Sequence, residues 1–370
     1  MLWLLQRVII QLIGVLVVSL AGGPSYAPEG FFGTFYRWDS GYFACIAAQG
    51  YLGQDCQGGS GLERIAFFPL YPMLSSAVAW LVSAGAMSTE SVSFGLWLVA
   101  AAGSVFAVVG VYRIAEHRFD QGTARRAAAL LLFSPYAVFL VASYSEALYL
   151  AAAVWAWYFC LRRRYLLTGL LGVVASASRA SGMFLIVALL VLYLVDVRRR
   201  GERIRVLDLV AIGSGGAGVL AYWGWLYFTT GDLLAWFHAQ SEGWHRRTRW
   251  PWETLLNQVI HVLREPKWDW QVQAVLELGA AAGIAVAIFL FVRRKEWASA
   301  TLVGSTAVSL MTSNSYLSLA RNTLTLFPLF ILLADLTGGP RRRWFWMLFA
   351  GGCALLVFNT VQLALGNWAD

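Results

Sequence analysis

Long apolar runs recur along almost the whole chain, and arginine triplets punctuate them. The runs cover roughly 3–22, 91–114, 126–141, 146–161, 165–178, 182–197, 207–228, 272–292, 296–312, 322–337 and 343–365. Arg162-Arg163-Arg164, Arg198-Arg199-Arg200, Arg293-Arg294-Lys295 and Arg341-Arg342-Arg343 each fall between two of them. A helix crosses the hydrocarbon core of a bilayer with about 20 apolar residues, so the pattern predicts an all-α polytopic membrane protein. Composition removes the alternatives. Hydrophobic residues make up 59% of the 370 and charged residues 13%, against about 45–50% and about 25% in soluble domains. A cytosolic enzyme, a disordered chain or a disulfide scaffold would need polar surface that this sequence lacks. The net charge of +8 does not point to nucleic acid, because the triplets read as topology anchors under the positive-inside rule.

Parity sets the expected topology. A twelfth apolar stretch, 67–84, opens Phe67-Phe68-Pro69-Leu70-Tyr71-Pro72. If it crosses, every triplet lands outside; if it lies in the outer interface, every triplet lands inside. The second option gives about eleven spans, N-terminus in, with 19 of the 28 basic residues inside and 13 of the 20 acids outside. The chain reads as one transmembrane domain, 1–370, with a first outer loop at 23–90 and a second at 229–271. A signal peptide ending near Ser25-Tyr26-Ala27 is the less favoured reading of the first run. Cys160 and Cys353 lie in apolar runs and read as packing residues. Cys45 and Cys56 share one loop, and the sequence leaves open whether they pair.

Five polar clusters all fall on the outer side of this topology. The first is Trp38-Asp39 with Tyr42, followed later by Glu63. Trp38, Tyr42, Phe43 and Ile46 follow helical spacing, which predicts an amphipathic helix at the interface. Asp39 at its start reads either as a helix cap or as a catalytic base. The second is Ser145-Glu146, at the outer end of a span, where an unpaired carboxylate is costly. The third is Arg179, in a very short turn, which calls for an anion partner. The fourth comprises His238, Gln240 and Trp244, with Arg246 close by. The fifth is Arg321-Asn322. Such a set suits a charged, sugar-like or phosphate-bearing ligand at the lipid boundary. A Gly-rich phosphate loop followed by Lys is missing, and the four His show no metal-ligand spacing, so neither a metal nor another cofactor is expected.

The residues also resemble a known family, PIG-V (GPI mannosyltransferase II and its bacterial relatives), with the GT-C membrane glycosyltransferase fold. The resemblance runs over 35–330. It rests on Trp38-Asp39, Ile46-Ala47, Gly50-Tyr51, Ala66-Phe67-Phe68-Pro69, Pro72, Ser134-Pro135, Tyr144-Ser145-Glu146-Ala147-Leu148, Arg179-Ala180-Ser181-Gly182, and Arg321 with Phe327-Pro328. It implies a mannosyltransferase of the bacterial plasma membrane, with its active site on the outer face. The donor would be polyprenyl-phosphate mannose and the acceptor a lipid or glycan. The first-loop carboxylate, Asp39, would be the base of an inverting transfer. The family often places an aromatic after the late Arg, where this chain has Asn322, so a stacking role there does not carry over. Glu146 is expected to serve one arginine, Arg179, leaving Arg321 for the donor phosphate. A lipid or solute transporter is the rival class. It needs ionisable residues along a path through the bilayer, and the apolar runs carry few.

Overall fold

The computed structural model describes residues 1–22, 30–53, 61–367 and 369. Every regular element among the described residues is helical. In chain order these are α1 (Leu2–Ala21), α2 (Asp39–Gln49), α3 (Leu62–Ile65), α4 (Leu70–Val82), α5 (Thr89–Arg118), α6 (Gln121–Leu132), α7 (Glu146–Leu161), α8 (Tyr165–Ser178) and α9 (Gly182–Arg200). There follow α10 (Val206–Gly213), α11 (Ala217–Thr230), α12 (Ala235–His238), α13 (Pro251–Arg264), α14 (Trp268–Arg293), α15 (Trp297–Met311), α16 (Leu319–Asn322), α17 (Phe327–Leu336) and α18 (Arg342–Leu365). Among the described residues, five segments are long and apolar enough to cross a bilayer: Leu2–Ala21, Thr89–Arg118, Val206–Thr230, Trp268–Arg293 and Gly339–Leu365. The expected all-α membrane fold is the observed one, and the chain is an integral membrane protein. Three expected spans are not single helices: 207–228 is divided into α10 and α11 by a 3-10 turn at Ser214–Gly216, and two others are broken more sharply. The run 126–141 holds only the end of α6 and a 3-10 turn at Ala137–Leu140. The run 322–337 belongs to a pair of helical segments bent by 78°.

Helix length encodes depth. Gly103 and Gly110 of α5 lie against Ala147 and Val154 of α7, where a Cβ on Gly103 would sit 2.8 Å from the Ala147 backbone. Small residues let two membrane helices approach this closely. They also fix the register: the two helices run parallel, and Glu146 is level with the middle of α5. From there α7 has 16 residues, α8 has 14 and α15 has 15, or about 21–24 Å each at 1.5 Å per residue. That is short of the roughly 30 Å hydrocarbon core. α5 with 30 residues and α14 with 26 reach about 45 and 39 Å. The short helices stop at a common level, and the long ones pass it and wall it.

The two ends of the bundle differ in charge. At one end Arg118 pairs with Glu296 at 3.0 Å, Arg163 with Asp196 and Glu202 at 3.2 and 3.0 Å, and Arg294 with Asp335 at 2.6 Å. This gathers the chain's turns around three of the basic triplets. The opposite end holds the polar clusters singled out in the sequence.

Three expectations need correction. Arg7, counted with the inside charges, is buried, and its guanidinium donates to the carbonyls of Leu140, Val141 and Trp97. Those residues lie at the expected outer ends of their spans. Trp3 donates to Ser104 Oγ at 2.9 Å, so α1 starts level with the middle of α5. Next, α2 is not an interfacial helix: Phe43, Ala44, Cys45, Ile46 and Ala47 are all buried. Its apolar stripe packs into protein, with Phe43 edge-on to Phe67 and Tyr71. Last, the interior, expected to be nearly free of charge, buries Arg7, Glu146 and Glu277.

The stretch 67–84 forms α4, whose 13 residues span about 20 Å and pack backbone to backbone on Gly95 of α5. Cys45 is disulfide-bonded, whereas Cys56 and Ser25-Tyr26-Ala27 lie outside the described residues. Cys160 and Cys353 are free thiols.

Candidate functional site

Asp39 enters the site from a constrained turn. Trp38, just before it, has φ 51, a region that bulky L-residues rarely occupy and that costs about 1–3 kcal/mol. Several bonds hold the turn there. Buried Arg37 donates to the carbonyls of Ala364, Gly33 and Tyr36. Trp38 Nε1 donates to the Asn367 carbonyl, and Tyr144 Oη donates to the Arg37 carbonyl at 2.8 Å. Asp39 is the first residue of α2 rather than its N-cap. A carboxylate there is favoured by the helix dipole, but its side chain reaches elsewhere: Arg321 Nη2 donates to Asp39 Oδ2 at 3.0 Å.

Arg321 is presented by a second constrained turn. Ser318 has φ 66 and opens α16, a helix of four residues. A helix start leaves N–H groups without intrahelical acceptors. Here a carboxylate from another helix supplies one, as Glu277 Oε2 of α14 accepts the Ala320 N–H at 2.8 Å. The next residue is Arg321, and Asn322 follows.

Glu146 lies beneath both arginines. It is fully buried, with its Oε1 2.8 Å from Arg179 Nη1 and 3.2 Å from Arg321 Nε. Arg179 also donates to Ser145 Oγ and to Asn322 Oδ1, each at 3.1 Å. The Arg321 guanidinium stands over the rings of Phe139 and Tyr144 at 5.1 and 5.4 Å. Two cations and two carboxylates thus form one connected group, which offsets the large cost of burying any of them alone. The expected pairing of Glu146 with Arg179 is present, and Arg321 joins it. Glu146 serves both arginines, because α7, the 179–181 turn and α16 all end at the same depth.

A cavity of about 420 Å³ opens over this group. Asp39, Arg179, Arg321 and Asn322 line its polar side, together with Ser145, Ser178 and Ser181. Phe67, Phe68, Trp223, Trp236, Phe237 and Trp244 line the other side, and Gln240 and Arg246 also reach it. The structure therefore joins all five clusters, though not every singled-out residue. Tyr42 stands behind the wall, stacked on Phe67 at 5.1 Å and tilted against Trp244 at 5.5 Å. Glu63 supports the wall through its carbonyl, which accepts Trp244 Nε1–H at 3.1 Å. Trp38 packs toward the C-terminal end instead of the cavity. His238 lies outside the lining, 2.6 Å from Asp232, and that bond holds the Asp232 carboxyl below the usual carboxylate range. Sequence reasoning missed Trp223 and Trp236, which carry no signal among 18 Trp. It also missed Glu277, although an acid inside an apolar run was the signal available. No group of three His, Cys, Asp or Glu among the described residues is placed to hold a metal.

Chemically, the site offers a carboxylate beside two guanidiniums, with hydroxyls on one side and aromatic faces on the other. Residues 75–223 match the family described as dolichyl-phosphate-mannose-protein mannosyltransferase. No curated protein matches the chain. Among solved structures, the apo crystal structure of the oligosaccharyltransferase of Archaeoglobus fulgidus aligns with TM-score 0.53 at 14% identity, over 100% of this chain and 56% of that one. The same archaeal protein in complex with an inhibitory peptide and a dolichol-phosphate gives TM-score 0.47 at 14% identity, over 98% and 55%. The chain thus spans about half the length of the oligosaccharyltransferase it matches, and at this identity the likeness to the apo structure is one of fold.

Proposed function

We propose that this protein is a membrane glycosyltransferase that moves a sugar, mannose in our reading, from a polyprenyl-phosphate carrier to a lipid or glycan acceptor. The observation that carries the reading is the meeting of Asp39 and Arg321 at 3.0 Å on the wall of a cavity that Arg179 also lines. The family match over 75–223 supports the lipid-phosphate donor. The positive-inside rule puts the triplet-bearing end in the cytoplasm and the cavity on the outer side.

In this mechanism the acceptor hydroxyl attacks the anomeric carbon as the bond from that carbon to the phosphate oxygen breaks. Asp39 takes the hydroxyl proton as general base. The electron pair leaves with the phosphate, and attack from the opposite face inverts the anomeric centre. Arg321 is the group that changes partner. A guanidinium carries five N–H donors in a fixed fork, so Arg321 can keep Glu146 through Nε while its terminal nitrogens turn from Asp39 to the donor phosphate. The incoming phosphate thereby frees the base and gains a charge-assisted bond where negative charge develops. Glu146 keeps Arg179 and Arg321 side by side, and the aromatic side of the cavity accommodates the less polar parts of the substrates.

The test uses the purified protein in lipid vesicles with radiolabelled polyprenyl-phosphate mannose and a membrane lipid extract as acceptor. The expected result is saturable donor binding, label transferred to an extract component, and inverted configuration in the product. Absence of both binding and transfer would remove the reading.

A further inference from the structure

α13 is amphipathic in the reverse sense to a helix on a water-facing surface. Its buried residues are the polar Thr254 and Gln258. Its apolar residues Trp252, Leu255, Leu256, Val259, Ile260 and Leu263 recur at helical spacing and are exposed, Leu256 by 59% and Leu263 by 76%. No described residue covers this stripe. Both buried polar side chains are bonded, while Asn257 and Arg264 stay exposed beside them. Thr254 Oγ1 donates to the Ser313 carbonyl, and Gln258 Nε2 donates to the Ala274 carbonyl at 3.2 Å. Gln258 Oε1 accepts the Tyr316 N–H at 3.3 Å. Gln271 of α14 donates to the Val262 carbonyl at 2.8 Å. α13 is thus held along the outer turns of α14, and it is tied to the 312–316 loop that leads directly to Leu317, Ser318 and Arg321 in the cavity.

We propose that the occupant of this stripe is the acyl region of the leaflet at the cavity end, so that α13 is an immersed wall helix and the cavity lies within the depth of that leaflet. A helix that buries Thr254 and Gln258 and turns its whole apolar stripe outward suits an apolar surrounding along that stripe. α14, to which α13 is bonded, exposes apolar residues of its own at Val275, Val286 and Phe289, in a segment long and apolar enough to cross a bilayer. Trp250 and Trp252, stacked at 4.9 Å, stand at one end of α13, and exposed Trp268 follows the other, as tryptophans do at a lipid boundary. Arg247 and Arg249 before the helix and Arg264 and Lys267 around its end can lay their stems along apolar surface and keep their charges at headgroup level. The helix lengths agree. α7, α8 and α15 are too short to cross alone, so the apolar layer must continue past the site along the helices that wall it. The inference is independent of the catalytic reading.

The experiment places a bimane fluorophore at Leu256→Cys or Leu263→Cys, in a background with Cys160→Ala and Cys353→Ser. The full chain is reconstituted in phosphatidylcholine–phosphatidylglycerol vesicles. A third label at Arg203→Cys, an exposed position at the charged end, serves as the water-facing control. Lipids carrying a nitroxide on the acyl chain should quench both α13 labels and leave the control bright, whereas aqueous iodide should quench only the control. Iodide quenching of the α13 labels without lipid quenching would overturn the proposal in favour of a water-facing surface. Protection from both quenchers would overturn it in favour of a protein partner or a second copy.

Discussion

α2 and α13 each follow a long loop at the cavity end, and both carry an apolar stripe, yet they turn it in opposite directions. α2 buries Phe43, Ala44 and Ile46 in the protein and sets its one acid, Asp39, on the cavity wall. α13 buries Thr254 and Gln258 and leaves Leu256 and Leu263 exposed. The same helical periodicity thus serves a rigid platform in one case and a lipid-facing wall in the other. A base must be held to within a fraction of an ångström, and burial on several sides achieves that. A wall helix needs only to satisfy its inward polar groups and match its surroundings.

The largest effect should come from the platform. Asp39→Asn keeps size and can still sit at a helix start, so donor binding and folding should persist while turnover falls about 10²–10⁴-fold, the usual worth of a positioned general base. Near-normal turnover in a transfer assay would reduce Asp39 to a helix-start residue and leave α2 with no more chemistry than α13.

Truncation then compares the two helices directly. Phe43→Ala removes a ring buried against Phe67 and Tyr71 and should cost about 3–5 kcal/mol, read as a lowered Tm in vesicles. Leu256→Ala on the exposed stripe should stay within about 0.5 kcal/mol. Equal losses would show that α13 is packed against something as closely as α2.

The cluster facing the platform gives the next effect. Arg321→Lys loses the planar fork and at least one charge-assisted bond worth about 1.5–3 kcal/mol. It should weaken polyprenyl-phosphate-mannose binding about 10–100-fold with folded yield unchanged. Arg179→Lys, whose fork is spread over Glu146, Ser145 and Asn322, should mainly lower folded yield. Unchanged donor affinity in both would move the phosphate toward Gln240 and Arg246.

The smallest of these effects concerns Glu277, which caps the turn carrying Arg321. Glu277→Ala should cost about 1 kcal/mol, as loss of a helix cap does, and raise KM for the donor more than it lowers kcat. Glu277→Gln keeps an acceptor oxygen and should recover most of the loss. Hydrogen exchange at the Ala320 amide reads the cap directly, whatever the activity.

Much of the site was legible because ionisable residues bounding apolar runs are too costly to be idle. That rule found Glu146, Arg179 and Arg321, which are spread over half of the chain, while Asp39 was legible from its place at the start of an amphipathic helix and from the family resemblance. It could not distinguish cavity residues from those merely near it. His238 pairs with Asp232, and Tyr42 stacks behind Phe67, because ring stacking and local pairing leave no trace in spacing. Nor could it assign work to Arg7 and Arg37. Both spend their guanidiniums on backbone carbonyls where helices are interrupted, a need that appears only once the interruptions are seen.

By itself the sequence determined the environment and the cast. Apolar runs of near-membrane length, too little charge for a water-facing surface, and arginine triplets between the runs require a helical bundle in a bilayer, since every backbone polar group must be satisfied within it. Tertiary structure decided depth and partnership. Glu146 holds two arginines because three helix ends stop at one level, a level set by close contact at Gly103 and Gly110. Asp39 meets Arg321 across 282 residues of chain because two turns at positive φ aim their helices at the same point. Periodicity shows that a helix has two faces. What covers each face, protein for α2 and lipid in our reading for α13, follows from the neighbours that packing brings.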